Sequence, residues 1–399
     1  MNKIGIVCEY NPFHLGHLHQ IQETKRHFGN DSVIICTMSG DFVQRGEAAA
    51  FTKHARAEAA CRCGADIVFE LPLPWSISSA ENFASGAVDI LAAAGCTHIS
   101  FGSESGDIDK LCALAKYAAS ENVRQNVKAL YKCSAALPYA KVRQLAIERE
   151  IGSDAELLSQ PNNILAVEYI KAIYNKKLDI KPFTVKRIGN SHDSSGEEGP
   201  LSASELRKML DSGNDIYEYI PAEAACVYKR ELEAGRVRNK KIIDIALMSR
   251  IIGLSEDEFE ALADGAGGAG RRLYKTVQEY SDIESIAYHA ATRPYPMARM
   301  RRMLMCAALG IGTEYTKFSP PYMRVLALNS KGREYLRELN ETSIPLVIKP
   351  ATVRALGAEA ENVFARGALA NDIFRLQFVA NGDKKPGEDW RKGPVIVQN

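Results

Sequence analysis

At 399 residues the chain has room for more than one domain at roughly 150 residues each, and a domain of that size buries a core without staples. A composition of 46% hydrophobic and 25% charged residues is that of an ordinary soluble globular protein, and a net charge of +1 excludes a polycation, so any nucleic-acid contact must come from local clusters of Lys and Arg. The nine cysteines are odd in number and scattered, with Cys61 and Cys63 the only tight pair, which excludes a disulfide framework and fits no common zinc spacing.

In chain order, Ile4–Cys8 is a continuous apolar run read as a first strand, followed by a loop around His14 and a helix from about His17 to Phe28. Ser32–Met38 is a second strand and Lys53–Cys63 a second helix. Asp66–Leu71, Ala80–Ala93 and Thr97–Phe101 are a third strand, a third helix and a fourth strand, the last ended by Gly102. Strands apolar on both faces and alternating with helices predict a doubly wound α/β domain around a parallel sheet. From Asp107 to Lys177 the pattern is mostly helical, with an amphipathic helix over Asn162–Lys177. Lys181–Ile188 reads as a fifth strand, Gly189–Pro200 as a polar loop, and Ser202–Leu210 as a short helix. Pro221 is the expected boundary: residues 1–220 form the α/β catalytic domain and 221–399 a largely α-helical one, broken at Gly265–Gly270, Pro294 and Pro296 and with an extended piece at Ile344–Ile348. No signal peptide is expected, since residues 1–8 run straight into a strand, and no apolar run approaches membrane-span length. The thiols are then reduced and the protein cytoplasmic.

His14-Leu15-Gly16-His17 links the first strand to the first helix. A helix N-terminus there offers free N–H groups and the positive end of the dipole, which suits phosphate. Gly16 lets a phosphate approach the backbone, and the two imidazoles can bond oxygens as charge moves onto a departing pyrophosphate. Standing alone, such a tetrad is as often a surface loop; its position between strand and helix is what makes it a candidate. After the fifth strand, Leu201-Ser202-Ala203-Ser204-Glu205-Leu206-Arg207 opens a helix. Ser204 can donate to phosphate and Arg207 can neutralise its charge, although a plain helix cap with a solvent-facing Arg is the commoner arrangement for that segment by itself.

These paired motifs resemble the HxGH nucleotidylyl-transferase superfamily. More closely, Gly5–His17, Met38–Glu47, Glu70-Leu71-Pro72, Phe101–Glu104 and Pro161–Leu165 resemble the bacterial tRNA(Met) cytidine acetate ligases, at high specificity through the N-terminal half and more loosely beyond it. One departure is Leu15, where that family more often carries Asn. The resemblance implies a ligase in which acetate attacks the α-phosphate of ATP to give acetyl-adenylate and pyrophosphate. The 4-amino group of the wobble cytidine of elongator tRNA(Met) then takes the acetyl group. It implies His14, His17, Ser204 and Arg207 as catalytic residues. It implies an ATP site of Val7, Cys8, Glu9, Tyr10, Asn11, Pro12, Phe13, His14, Leu15, Gly16, His17, Leu18, His19, Gln20, Gly102, Asn162 and Arg187. From the residues alone, Asn162 is as readily a helix cap and Arg187 a surface residue. Gln44, Arg45 and Lys53 are candidates for acetate, phosphate or RNA. Mg2+ is expected with the triphosphate, with no protein metal site evident.

In the second half Arg271, Arg272, Lys275, Arg299, Arg301 and Arg302, interleaved with Tyr274, Tyr280, Tyr288 and Tyr295, form the candidate RNA-binding set. An amphipathic helix with a basic outer face is the alternative. No protein partner is inferred. Two other functions share parts of this pattern: a small-molecule nucleotidylyl-transferase of cofactor biosynthesis, which would not need the basic helical half, and a non-catalytic RNA-binding protein, against which the intact His14, Gly16, His17, Ser204 and Arg207 argue.

Overall fold

The apolar runs of the first hundred residues pair side by side, as their two-sided burial requires. The computed structural model describes residues 1–133, 139–187, 201–316, 318–339 and 341–398; the loop expected over Gly189–Pro200, and Ile188 at the end of the fifth expected strand, lie outside the described residues. The first half runs β1 (Lys3–Cys8), α1 (Leu15–Phe28), β2 (Val33–Ser39), β3 (Phe42–Val43), β4 (Glu47–Ala48), α2 (Lys53–Arg62), β5 (Ile67–Leu71), α3 (Ala80–Ala93), β6 (His98–Ser103), α4 (Ile108–Ala119), α5 (Glu121–Cys133), α6 (Tyr139–Ile151), α7 (Pro161–Asn175), β7 (Lys181–Lys186) and α8 (Ala203–Asp211). Then come α9 (Ala222–Glu233), α10 (Lys240–Ile251), α11 (Glu256–Glu260), α12 (Ala269–Val277), α13 (Ile283–Ala290), α14 (Met297–Leu309), β8 (Met323–Leu328), α15 (Ser330–Glu338), β9 (Leu346–Val347), α16 (Ala358–Arg375) and β10 (Val395–Ile396).

The main sheet has the order β10-β8-β5-β2-β1-β6-β7, with β9 beside β8. β5, β2, β1, β6 and β7 are all parallel, and the chain reverses its direction of travel across the sheet between β1 and β6. That switch point opens a crevice at the carboxyl ends of the strands, where ligands bind in open α/β sheets. Side-chain alternation fills both faces. Ile4, Ile6, Ile34 and Cys36 enter one core with Ile21 of α1 and Ala57 of α2, whereas Val33, Ile35, Ile67 and Phe69 enter another with Phe83 and Val88 of α3 and Ile170 of α7.

The doubly wound α/β domain is as expected. The second half is arranged differently from the expected 221–399 helical block. Met323-Arg324-Val325-Leu326-Ala327-Leu328, within the half expected to be helical, is β8, wholly buried and antiparallel to β5. Pro221 marks no break in the packing either, because α9 lies against α2 and the Tyr228 hydroxyl oxygen accepts from Phe13 N–H at 2.9 Å. The helices with a core of their own are α10 to α14, closed by Ile373 and Phe374 of α16.

A buried ion cluster ties the returning chain to the sheet. Lys53 Nζ lies 2.7 Å from Glu70 and 2.6 Å from Asp389, and Arg324 lies 3.2 Å and 2.9 Å from the same two carboxylates. Burial alone would push Asp389 up, but Arg324 and Lys53 hold its carboxyl below the usual range. Lys53 was expected as a contact for acetate, phosphate or RNA. It is 1% exposed and fully paired, so that expectation is corrected: its ammonium is a structural cation.

Candidate active site

The chain leaves β1 at Cys8 and turns through Tyr10, whose φ of 44° is left-handed, into Asn11-Pro12-Phe13-His14. His14 is the N-cap of α1, so the helix starts two residues earlier than the sequence pattern suggested. The reason is local: His14 Nδ1 accepts from Gly16 N–H at 3.0 Å and His17 Nδ1 accepts from His14 N–H at 3.2 Å, a reciprocal cap built from imidazoles in place of the usual Ser and Glu. Gly16 has a second reason to be glycine, since a Cβ there would come within 2.9 Å of His14 Cε1. The two rings lie 3.8 Å apart, centroid to centroid.

With both Nδ1 atoms accepting, the proton of each neutral ring sits on Nε2. Both rings are neutral near pH 7. Burial, then Arg187 and Arg207, pushes His14 down to about 4, and burial, then His14 and Arg187, holds His17 well below the ordinary imidazole value. The pair is thus a set of fixed Nε2–H donors at a helix N-terminus, which suits oxygen atoms of a phosphate chain.

Arg207 reaches the same loop from α8. Its Nη1 donates to Asn11 O at 2.8 Å and its Nη2 to Ser204 Oγ at 3.2 Å, and Glu47 of the β3–β4 hairpin pairs with it at 2.9 Å. Ser202, not Ser204, caps α8, in a capping box with Glu205. Ser204 accepts from Arg207 and so keeps its own hydroxyl proton to donate. Glu47 also holds Arg238 at 3.0 Å, and Asn11 Oδ1 accepts from Ala50 N–H at 2.7 Å. Arg56, wholly buried, donates to the carbonyls of Glu9 and Ser39, so the loops after β1 and β2 are fixed to each other. Glu9 accepts from Gln44 N–H at 2.8 Å, and burial raises its pKa. These contacts of Glu47, Arg56, Arg238 and Tyr228 are not legible in the sequence, because their partners lie at no periodic spacing; Glu47 alone of the four lies within a family motif.

Of the other expected nucleotide residues, Val7, Leu18, His19 and Gln20 are half-buried, Cys8 is buried and Leu15 is exposed. Gln20 donates to Ser100 O at 3.1 Å, tying α1 to β6. Arg187 follows β7 across the switch point, and a Cβ on Gly102 would come within 3.3 Å of its Cγ. A cleft of about 530 Å³ continues along α1 and β7, lined by His19, Glu23, Phe183 and Arg187 among others. Asn162 is the second residue of α7 and not its cap; its amide is held by Glu104, which follows Gly102 at the end of β6. The structure therefore brings His14 and His17 together at the start of α1, with Ser204 and Arg207 against the loop before it and the Arg187 charge felt by both imidazoles, while Gly102 lies against Arg187 and Asn162 is held by Glu104 at the end of β6.

The basic residues of the second half are spread more widely. Arg299 donates to Ala266 O at 3.4 Å and stacks over Tyr295, and Arg301 pairs with Glu284 at 3.2 Å. Arg302 is half-buried, and the backbone of Arg301 and Arg302 lies 2.6 Å from where Gly46 would carry a Cβ. With its φ of 74°, Gly46 lets the hairpin beside the site close against α14. Arg272 donates to Ala290 O at 2.7 Å, and Arg271 pairs with Glu256 at 2.6 Å while staying exposed. Lys275 is exposed. Eight cysteines among the described residues are free thiols, and none of the described helices is long and apolar enough to cross a membrane.

Comparison with known proteins gives the chain a family. The family model described as HIGH Nucleotidyl Transferase matches residues 1–388. The tRNA(Met) cytidine acetate ligase of Acetivibrio thermocellus is 31% identical over all of both chains, and that of Caldicellulosiruptor saccharolyticus 37% identical over 86% of each. Among solved structures, Thermotoga maritima TmcAL in its apo form superposes with a TM-score of 0.93 at 26% identity over all of both chains. The same protein bound with alpha-thio ATP superposes at 0.92. With a helix-capping histidine pair, a full-length family match and relatives alike from end to end, this chain belongs to the HIGH nucleotidyl transferases and, among them, to the tRNA(Met) cytidine acetate ligase family.

Proposed function

We propose that this chain activates acetate with ATP and passes the acetyl group to the 4-amino group of the wobble cytidine of elongator tRNA(Met). The observation that carries the reading is the pair of neutral imidazoles at the α1 N-terminus with Arg207 and Arg187 beside them. A carboxylate oxygen of acetate attacks the α-phosphorus, the bond to the β-phosphate oxygen breaks, and pyrophosphate leaves toward the Nε2–H donors of His14 and His17. Acetate is already ionised near neutral pH, so this step needs no base. In the second step the cytidine amine attacks the acetyl carbonyl, AMP leaves, and the amine loses a proton. Ser204 and Arg207 act on the phosphates from the α8 side. Magnesium enters with the triphosphate as part of the substrate. The chain's own groups at His14 are cations and neutral donors, and the nearest carboxylates, Glu9 and Glu47, already accept from Gln44 and from Arg207 and Arg238. Acetate-dependent exchange of pyrophosphate into ATP, without tRNA, tests the first step; exchange that ignores acetate would favour a nucleotidylyl-transferase of small molecules.

Depressed imidazoles make binding proton-linked. A triphosphate beside His14 favours the charged ring and raises its pKa from about 4. Between about 4 and 6.5 ATP binding is therefore expected to take up protons, read by calorimetry in buffers of different ionisation heat. In the same window the unfolded chain binds more protons at this residue than the native one, so ligand-free stability falls as pH drops from about 6.5 toward 4. No proton uptake at all would mean that the rings do not meet the phosphates.

The α10–α14 unit holds the tRNA in this reading. Arg299 and Arg301 brace the unit itself, so the phosphate contacts fall first to exposed Arg271 and Lys275 on α12, with Arg272 beside them. The Arg271–Glu256 pair is exposed and exchanges readily for a phosphate. Arg271→Glu with Lys275→Glu is expected to weaken tRNA binding and to lower its salt slope by about one unit per lost contact, leaving tRNA-free exchange unchanged. Gel-shift titrations at several salt concentrations measure it; an unchanged slope would move the RNA to the hairpin at Gln44 and Arg45.

A further inference from the structure

We infer that Glu104 selects the nucleobase of the activating nucleotide by fixing the amide of Asn162 with its carbonyl oxygen outward. The inference rests on the reading above for the identity of the nucleotide site. Both carboxylate oxygens of Glu104 face the first turn of α7. Oε1 accepts from Asn162 Nδ2 at 2.6 Å and from Asn162 N–H at 3.3 Å, and Oε2 accepts from Asn163 N–H at 2.9 Å. In return the buried Asn163 Oδ1 accepts from the N–H groups of Glu104 and Ser105 at 3.0 Å and 3.2 Å. The loop after β6 and the start of α7 are clasped to each other across the switch point.

The clasp settles two things. A carboxylate only accepts, so the Asn162 amide has no choice of orientation: Nδ2 must face Glu104 and Oδ1 must face away. The α7 N-terminus, with its free N–H groups neutralised by Glu104, is closed to a phosphate, which leaves the phosphates to α1 across the crevice. Asn162 is half-exposed, and its Oδ1 has no hydrogen-bond partner among the described residues; in this scheme, with the phosphates at α1, that oxygen meets the nucleobase. An outward acceptor pairs with the 6-amino group of adenine and is repelled by the 6-oxo group of guanine. Glu104 touches neither base nor phosphate in this scheme and is a positioning residue.

The test uses the full chain and measures ATP and GTP binding separately by calorimetry, without acetate or tRNA. Wild type is expected to prefer ATP. Glu104→Gln supplies a single oxygen where two are needed; with that oxygen on Asn163 N–H, its NH2 group meets Asn162 and turns the amide over. The ATP preference is expected to fall roughly ten- to a hundredfold, with GTP binding gained as ATP binding is lost. Asn162→Ala keeps the helix cap and removes the oxygen, and its preference is expected to fall comparably, which decides the matter should Glu104→Gln fail to fold. Proportional weakening of both nucleotides in both variants, or a wild type without preference, would overturn the inference. A wild type that prefers ATP yet shows no acetate-dependent exchange would instead refute the ligase reading and leave this one standing.

Discussion

Replacing His14 or His17 with alanine is expected to lower acetate-dependent ATP–pyrophosphate exchange by about a hundredfold or more, the usual loss when one fixed donor to a developing oxyanion is removed. Each ring is held by a backbone N–H on Nδ1, so its Nε2–H is aimed before substrate arrives and needs no reorganisation during reaction. His14→Ala also removes the side-chain cap of α1, and His17→Ala leaves the His14 N–H without its acceptor. His17→Asn, which retains a donor at this turn, is therefore expected to recover part of the rate. Thermal melting alongside the exchange assay separates lost chemistry from a lost helix end. Near wild-type exchange in both alanine variants would remove the histidines from the mechanism.

The largest stability effect is expected at the buried cluster. Lys53→Met leaves Glu70 and Asp389 sharing one guanidinium, that of Arg324, in a site where all four side chains are buried. Removing one partner from a buried ion network costs about 3–5 kcal/mol, a large fraction of a typical folding free energy. Denaturant unfolding measures it; a change below about 1 kcal/mol would mean that water reaches the cluster. The Lys53 backbone N–H, which the substitution leaves in place, donates to one Asp41 oxygen at 2.8 Å, and Asn371 of α16 donates to the other at 2.7 Å, so the second half of the chain braces the loop beside the active site.

The sequence was most legible where periodicity and motif coincide. The parallel strands, their helices and the His14–His17 turn follow from apolar runs punctuated by Gly; the elements stand in the expected order, with α1 beginning two residues early because His14 caps it. β8 escaped because its six residues include Arg324, which breaks the apolar pattern; that arginine is buried only because Glu70 and Asp389, far away in sequence, neutralise it. The hairpin β3–β4 escaped because each strand has two residues. Glu104 lay within a motif that pointed to the family, yet its work depends on Asn162 and Asn163, which no local spacing connects to it. Lys53 shows the converse: a cation at the start of a helix reads as a surface contact until its buried partners Glu70 and Asp389 are seen.

The most direct test of the central claim supplies the purified chain with labelled acetate, ATP and bulk tRNA, then digests the RNA and looks for acetylated cytidine together with AMP and pyrophosphate. The account predicts all three products when acetate, ATP and tRNA are present together, pyrophosphate exchange with acetate and ATP alone, and both lowered about a hundredfold or more in the His14→Ala variant. Cleavage of ATP to ADP, or acetylated cytidine formed without ATP, would contradict it.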